Sequence, residues 1–419
     1  MTVETHRAVE TVWRMESARL IAGLARIVRD VGVAEELAQD ALVAALQQWP
    51  SEGIPRNPAA WLMAAAKHRA LDHLRRNKLV ERKHEYLGQE RTTREKTVPD
   101  YDALVEDDIG DDLLKLIFTA CHPVLSTEAR VALTLRLLGG LSTQEIARAF
   151  FVPEATMAQR IVRAKRLLAE NRVPFETPRG DEIAGRLNSV LEVVYLIFNE
   201  GYSAAAGDDW MRPALCDEAL RLGRVLAALA PNEPEVHGLV ALMEIQASRL
   251  RARTGANGEP VLLFDQDRSR WDWLLIRRGL AALDRALRLN GSRGTYVLQA
   301  SIAACHARAR VAEHTDWRQI ADLYQELAVL TGSPVVELGR AMAVGMAYGP
   351  GAGLQVADAL SEEPALRNSH RLPSVRADLL FKLGRKPEAR AEFQRAAELA
   401  LNSTEREMLR KRAEECAES

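Results

Sequence analysis

Apolar residues recur at helical spacing along most of this chain, and that periodicity constrains the fold more than any other feature. The first helical stripe consists of Val12, Leu20, Leu24, Ile27 and Val31. We find no succession of alternating apolar and polar residues bounded by turn residues, which is the pattern of paired strands. The sequence therefore predicts an all-α protein.

The chain is long enough for several domains, and its overall charge points to no particular partner. A length of 419 residues predicts about two or three domains of ordinary size. The 56 Lys and Arg residues nearly balance the 58 Asp and Glu residues, so any basic surface for nucleic acid must be local.

Cysteine usage and hydropathy favour a protein of the reducing cytoplasm. The 4 cysteines lie far apart in the sequence, which suggests neither a zinc knuckle nor a disulfide framework. The N-terminal segment carries acidic residues and lacks an apolar stretch of the secretory type. No apolar run approaches the ~18 residues of a membrane span. We expect a cytoplasmic protein with no membrane segment.

The N-terminal region reads as three helices, with a basic stretch on the third. Pro50, Gly53, Pro55 and Pro58 predict that the second helix ends at Trp49 and that a short loop follows. The basic residues after this loop are Lys67, Arg69, Arg75, Arg76, Lys78, Arg82 and Lys83. Alone, such a stretch is typical of a solvated helix face.

Residues 86–112 are poor in apolar side chains and end in an acidic run. The acids of that run are Asp100, Asp102, Glu106, Asp107, Asp108, Asp111 and Asp112. Like charges repel along such a segment, so we expect a flexible linker.

Residues 141–168 carry the most specific local pattern in the chain. Ser142 is a favoured N-cap residue, and Glu145 stands at the capping-box position three residues later. Pro153 separates this helix from a second one that bears several basic residues. Two short helices joined by a tight turn, the second of them basic, predict a helix-turn-helix that enters the major groove of DNA.

Beyond Pro174 and Pro178, about 240 residues read as a series of helix pairs. Leu383, Gly384, Ala389, Phe393 and Ala396 follow the small and aromatic spacing of ~34-residue helical repeats. Helices of such repeats bury their apolar faces only by stacking, so this region predicts a curved helical array with a concave surface.

These motifs together resemble the bacterial extracytoplasmic-function sigma factors, the two-domain specificity subunits of RNA polymerase. Residues 32–46 resemble the acidic helix that binds the clamp helices of the largest polymerase subunit. Residues 57–76 resemble the helix that melts and reads the promoter -10 element, and residues 141–168 resemble the helix-turn-helix that reads the -35 element. The remainder resembles a subgroup with a long tetratricopeptide-like C-terminal extension.

The resemblance implies a domain order and a set of binding residues. We expect sigma region 2 at 1–85, the acidic linker at 86–112, sigma region 4 at 113–175 and a helical regulatory domain at 180–419. The implied -10 residues are His68, Arg69, Asp72, Arg75 and Arg76. The implied -35 residues are Thr156, Gln159, Arg160, Arg163 and Lys165. The implied polymerase-binding residues are Glu36, Gln39 and Asp40.

Two positions depart from the family pattern. His68 stands where an Asn commonly helps to capture a flipped base; a histidine can stack and donate one hydrogen bond, but it lacks the paired donor and acceptor of an amide. Ala158 stands where a Lys or Arg is common, so one -35 contact is absent. Trp61 is predicted to be a core anchor of the first domain, not a base-stacking wedge.

The resemblance implies a binding protein with no catalytic residue, cofactor or metal. Its expected partners are core RNA polymerase, through the clamp helices and the flap region, and promoter DNA. The C-terminal domain would either dock on the sigma domains or take a protein partner. A second hypothesis is a helix-turn-helix regulator on a repeat scaffold that never engages polymerase.

An enzymatic tail is a third hypothesis, because Asp265, Asp267 and Asp272 lie close together in sequence. Neighbouring carboxylates can hold a metal ion or exchange protons. Neither a nucleophile motif nor a Gly-rich phosphate loop accompanies them. His306 and His314 have no other potential ligand at a spacing typical of metal sites. We therefore expect this loop to brace neighbouring helices.

Overall fold

The computed structural model describes residues 3–88, 109–150, 152–178, 182–203, 211–255, 259–289 and 293–418. Regular structure within these ranges is helical, with a single isolated antiparallel bridge between Thr254 and Pro260 and no β-strand. This confirms the predicted all-α fold. The chain forms two compact units, Met1–Val193 and Val194–Ser419.

The first unit begins with three long helices: α1 (Val3–Val28), α2 (Val31–Glu52) and α3 (Pro58–Gly88). Asp30 caps α2, because its side chain accepts a hydrogen bond from Val33 N at 3.0 Å. The apolar stripe of α1 is buried at Leu20, Ile21 and Leu24. Helix α1 packs against both α2 and α3, and the three form a small helical core.

Helix α2 continues past the proline that was predicted to end it. Pro50 lies in its last turn, and the helix ends where Gly53 adopts a φ of 87° and its N–H donates to Trp49 O at 3.0 Å. A proline near the end of a helix removes one hydrogen bond, and buried Trp49 holds this turn in place. The half-buried ring of Trp61 contacts Trp49 edge-on at 5.5 Å, as expected for a core anchor.

The predicted linker at 86–112 lies largely outside the described residues. Its two ends are helical: α3 reaches Gly88, and α4 (Ile109–Ala120) contains the last acids of the run. Asp111 and Asp112 lie in the first turn of α4, where carboxylates interact favourably with the helix dipole. Asp112 is buried and pairs with Arg26 Nε of α1 at 3.1 Å, so this acid belongs to the core of the unit.

Four further helices follow; three lie within the first unit, and the fourth spans its boundary with the second unit. They are α5 (Thr127–Leu137), α6 (Thr143–Ala149), α7 (Glu154–Glu170) and α8 (Glu182–Tyr202). The first turns of α8 are fixed to the preceding helices: Ser189 Oγ donates to Cys121 O at 2.6 Å, and Arg186 Nη2 donates to Phe118 O at 2.8 Å. The boundary between the two units falls within α8, beyond the predicted start of the C-terminal domain.

The second unit is a succession of helices that pack on their neighbours in the chain. They are α9 (Pro213–Leu229), α10 (Pro234–Ala247), α11 (Trp273–Arg288), α12 (Thr295–Arg308), α13 (Trp317–Thr331), α14 (Pro334–Tyr348), α15 (Pro350–Asp358), α16 (Arg371–Lys382), α17 (Lys386–Leu399) and α18 (Ser403–Glu418). Small residues allow close crossings. A Cβ on Gly353 would lie 2.7 Å from Gly345 Cα, where α14 meets α15.

No helix within the described ranges is both long and apolar enough to cross a membrane.

Candidate DNA-binding and polymerase-binding surfaces

Helices α6 and α7 form the helix-turn-helix that the sequence predicts. Glu145 N donates to Ser142 Oγ at 3.1 Å, and Ser142 N donates to Glu145 Oε2 at 2.8 Å. Both halves of the capping box are therefore present, which confirms that prediction. Ile146 and Ala147 bury the inner face of α6.

Helix α7 separates its buried stripe from an exposed polar face. The buried stripe consists of Met157, Ile161, Ala164 and Leu168. Thr156, Gln159 and Arg163 are exposed, and the Arg160 side chain between them is half-buried. Positions three, four and seven apart share one side of a helix, so these four predicted -35 residues lie together. They offer a hydroxyl, an amide and two guanidinium groups to a groove.

Lys165, the fifth predicted -35 residue, lies on a different side of α7. Its ammonium pairs with the Glu35 carboxylate of α2, and only 20% of the Lys165 side chain is exposed. The structure therefore does not bring Lys165 together with the other four residues. The sequence of α7 alone predicts that Lys165 is one more exposed basic residue, because its ion-pair partner Glu35 is 130 positions away in the chain.

Glu35 is the centre of an ion-pair cluster that sequence reasoning missed. It is buried on α2, with 1% of its surface exposed, and its Oε1 accepts from Arg136 Nε of α5 at 2.6 Å. Arg136 Nη1 also donates to Leu141 O at 3.1 Å, immediately before the capped start of α6. One signal was available in the sequence: Val31, Ala34 and Ala38 place Glu35 on the apolar side of α2.

The predicted polymerase-binding residues divide between surface and interior. Glu36 and Asp40 are exposed and one helical turn apart, so they form an acidic surface on α2. Gln39 is half-buried, and its Nε2 donates to Glu35 Oε1 at 2.7 Å. That bond orients the buried carboxylate, whereas Glu36 and Asp40 remain available to a partner.

Asp72 organises the predicted -10 residues on α3. Its carboxylate lies 3.6 Å from His68 Nε2 and 3.5 Å from Arg75 Nη1. Arg76 Nε donates to Asp72 O at 3.4 Å. His68, Arg75 and Arg76 are exposed, while Arg69 is half-buried. Ion pairs of this length at a solvent-exposed surface contribute little to the stability of the fold. The side chains can therefore exchange these contacts for others.

The acidic loop of the second unit braces helices, as expected. Asp272 Oδ1 accepts from Leu274 N at 2.9 Å and from Leu275 N at 3.2 Å, which caps α11. Asp267 Oδ1 accepts from Ser269 N at 2.9 Å in the preceding 3-10 turn. The described part of the chain holds no group of three His, Cys, Asp or Glu side chains placed to bind a metal ion.

The two histidines of that region serve no metal site in the described residues. The His306 ring is half-buried and meets the Trp317 ring edge-on at 5.1 Å. Burial, with Arg249 and Arg268 nearby, lowers the pKa of His306 to about 3, so its imidazole is neutral. His314 lies in a short 3-10 turn before α13.

Three known protein families match successive parts of the chain. Residues 13–80 match the family described as Sigma-70 region 2, and residues 115–168 match Sigma-70, region 4. Residues 186–287 match a family of unknown function, DUF6596. No solved structure shows a significant match.

Individual relatives cover either nearly the whole chain or about a third of it. The chain is 44% identical over 391 residues to the uncharacterized protein R00370 of Rhizobium meliloti, covering 93% of this chain and 91% of that protein. It is 30% identical over 149 residues to a probable RNA polymerase sigma-C factor of Mycobacterium bovis and, equally, to the ECF RNA polymerase sigma factor SigC of Mycobacterium tuberculosis. Each of these alignments covers 35% of this chain and 73% of the relative.

Proposed function

This chain belongs to the extracytoplasmic-function family of RNA polymerase sigma factors, and we propose that it joins core polymerase through α2 and reads promoter DNA through α3 and α7. The observation that carries this proposal is the exposed face of α7. A capped helix-turn-helix holds Thr156, Gln159, Arg160 and Arg163 on one side, away from the buried stripe. Arginine can bind guanine through O6 and N7, and glutamine can bind adenine in the same way.

The acidic surface of α2 supports the polymerase contact. Glu36 and Asp40 are exposed, and neither forms an ion pair within the described residues, so both carboxylates are available to a basic partner. We propose that they contact the clamp helices of the largest subunit, and that region 4 contacts the flap region. Complementary charge of this kind speeds association and sets orientation.

The -10 surface of α3 supports duplex opening at a restricted set of promoters. Arg69, Arg75 and Arg76 would bind phosphates, which adds affinity without reading sequence. His68 is exposed next to them and would stack on an unpaired base. Because this surface carries a single histidine in place of an amide, we expect dependence on a well-matched promoter.

We propose that the second unit regulates the sigma regions. The Rhizobium relative matches this chain over 91% of its own length, so the sigma regions and the helical extension occur together in both proteins. An extension in the same chain could control the activity of the sigma regions in place of a separate inhibitory protein. Whether it acts by docking on the sigma domains or by taking a protein partner is tested by truncation.

The decisive experiment is transcription in vitro with purified core polymerase and genomic promoter fragments. We expect the full-length chain to direct initiation, and the double variant Glu36→Lys, Asp40→Lys to lose polymerase capture. Glu52→Lys, at the exposed end of the same helix, is the matched control and should behave as wild type. If the double variant still captures polymerase, Glu36 and Asp40 are not the contact. If the wild type captures no polymerase and binds promoter DNA equally well without it, the chain is a free-standing regulator.

A truncated chain for the regulatory test should end at Val193, not at 175. Arg130 lies 3.1 Å from Glu192 Oε2, and Ser189 bonds to Cys121 O, so the first turns of α8 complete the first unit. A fragment ending at 175 would expose Cys121 and the carbonyl groups that α8 covers. Increased initiation by residues 1–193 relative to the full chain indicates an inhibitory extension, and decreased initiation indicates an activating one.

A further inference from the structure

Three arginine side chains are buried in the second unit, beyond any surface used for polymerase or DNA. Arg249 is 8% exposed, and Arg253 and Arg268 are each 9% exposed. Buried arginines usually face carboxylates, because an isolated charge is costly to remove from water. Within the described residues, neither Arg249 nor Arg268 has a carboxylate within ion-pair distance.

Arg249 is the extreme member of the group. Its guanidinium makes no hydrogen bond within the described chain, and its Nε is buried without a partner. Its contacts are with two aromatic faces: the guanidinium carbon lies 5.9 Å from the ring centres of both Tyr202 and Trp271. Cation–π contacts contribute about 0.5–2 kcal/mol each, less than the several kcal/mol that burial of an unpaired ion costs.

The neighbouring arginines hold fixed positions around Arg249. Arg253 stacks on Tyr202 at 3.6 Å from the ring centre and donates to Tyr202 O at 2.5 Å. Arg268 stacks on Trp271 at 4.7 Å and donates to His306 O at 2.7 Å. Two aromatic rings and several carbonyls therefore keep three positive charges together. Burial lowers the pKa of both Arg253 and Arg268, and the positive charge of Arg249 nearby lowers both further.

A cavity of about 350 Å³ opens beside this group. Arg249 and Arg253 line it, together with Tyr202 and Gln266. Gln266 is 8% exposed; its Nε2 donates to Val261 O at 3.1 Å, while its Oε1 is buried without a hydrogen bond. The volume is at the lower end of the range for small-molecule pockets, about 300–1,000 Å³.

We propose that this cavity binds a small molecule through one anionic group, a carboxylate or a phosphate, held by Arg249 and Arg253. Guanidinium groups bind both anions through paired hydrogen bonds, and the Nε of Arg249 is buried without a partner in the described residues. The lining residues all belong to the second unit and include none of those proposed to bind DNA or polymerase, so the existence of this site does not depend on the function proposed above.

A carboxylate among the lining residues limits what the ligand can be. Asn402 and Glu405 also line the cavity, and Glu405 Oε1 lies 3.1 Å from His370 Nε2. The hydrogen bond from His370 lowers the pKa of Glu405, so the cavity lining carries a negative charge as well as the two guanidinium groups. A ligand with one anionic end and a neutral or hydrogen-donating end fits this arrangement better than a molecule that is anionic at both ends.

The test is the thermal unfolding of the full chain, measured against rising concentrations of sodium phosphate or sodium lactate. Sodium chloride at equal ionic strength is the reference. We expect a saturable rise in Tm with at least one of the two anions, because a ligand that binds only the folded state stabilises it by mass action. The phosphate and lactate arms distinguish the two anion classes.

Two matched pairs of variants assign the effect to this cavity. Arg249→Gln should weaken binding at least tenfold, whereas Arg251→Gln, which changes an exposed arginine in the same 3-10 turn, should keep it within twofold. Ser203 lines the cavity and is exposed, so Ser203→Asp and Ser203→Asn differ only in charge at its edge. Aspartate should weaken anion binding at least tenfold, and asparagine should not.

The proposal is overturned if neither anion raises the Tm in a saturable way beyond chloride. Equal loss of binding in Arg249→Gln and Arg251→Gln would also overturn it, since that indicates non-specific attraction to the surface. If Arg249→Gln fails to fold, the Ser203 pair decides: equal binding by its two variants contradicts the site.

Discussion

Glu35 on α2 receives a hydrogen bond from Arg136 Nε on α5 at 2.6 Å, although 101 positions separate the two residues in sequence. The same carboxylate pairs with Lys165 of α7. A single buried acid therefore joins the helix that carries the proposed polymerase-binding surface to the helix-turn-helix that carries the proposed -35 surface.

Removal of the Glu35 charge should loosen this junction. Glu35→Gln keeps the shape of the side chain but leaves two cations without their partner, and we expect the free energy of unfolding to fall by about 2 kcal/mol. Urea denaturation of the full chain measures the change. Glu36→Gln, one residue along and exposed, should change stability by less than about 0.5 kcal/mol. A double-mutant cycle with Lys165→Gln should show coupling; simple additivity would argue against the ion pair.

Arg163 and Lys165 should respond differently when each is changed to Gln. Arg163 is exposed on the proposed -35 face, whereas Lys165 forms an ion pair with Glu35. For holoenzyme bound to a promoter recovered by chromatin mapping, Arg163→Gln should weaken binding. If Arg163 contacts a phosphate, it should also reduce the slope of log K against log salt by about 0.9. Lys165→Gln should leave that slope unchanged and lower stability instead. A reduced slope for Lys165→Gln would return this residue to the DNA surface.

The contrast between these two residues shows what the sequence could and could not provide. The helix-turn-helix, its cap at Ser142 and the face of α7 depend on residues three or four positions apart, and local periodicity predicts them. The role of Lys165 depends on how α2 packs against α7, which no local pattern contains. The same reason explains Asp112, which was predicted to lie in a flexible linker but is buried against Arg26 of α1.

Helix ends show the same limit on a smaller scale. Pro50 was predicted to stop α2, yet the buried Trp49 and the contact of its ring with Trp61 hold one further turn. Tertiary packing outweighs the loss of one backbone hydrogen bond at a helix terminus. In the second unit, no sequence motif marks the buried arginines. Their burial and their contacts with aromatic rings arise only when distant segments pack together.

The acids of the second unit should contribute to stability in proportion to the caps that they form. Asp272 accepts two backbone hydrogen bonds at the start of α11, so Asp272→Ala should cost about 1–2 kcal/mol. Asp265 is exposed, and Asp265→Ala should cost less than about 0.5 kcal/mol. Differential scanning calorimetry provides both values. Divalent cations should not raise the Tm of the wild type; a rise that Asp265→Ala abolishes would support the metal-binding hypothesis.

Arg249 should lower the stability of the ligand-free protein, because a binding residue without its ligand is a buried charge without a partner. Arg249→Met retains the length of the side chain and its packing on Tyr202 and Trp271, but removes the ion. Replacing a buried ionic group by an apolar one is often stabilising by about 1–4 kcal/mol. Taking about 1 kcal/mol, we expect the Tm of the ligand-free chain to rise by about 2–4 °C. Arg251→Met, on the exposed side of the same turn, should leave it unchanged. A fall in Tm for Arg249→Met would mean that the fold itself uses this guanidinium, and that its role is structural.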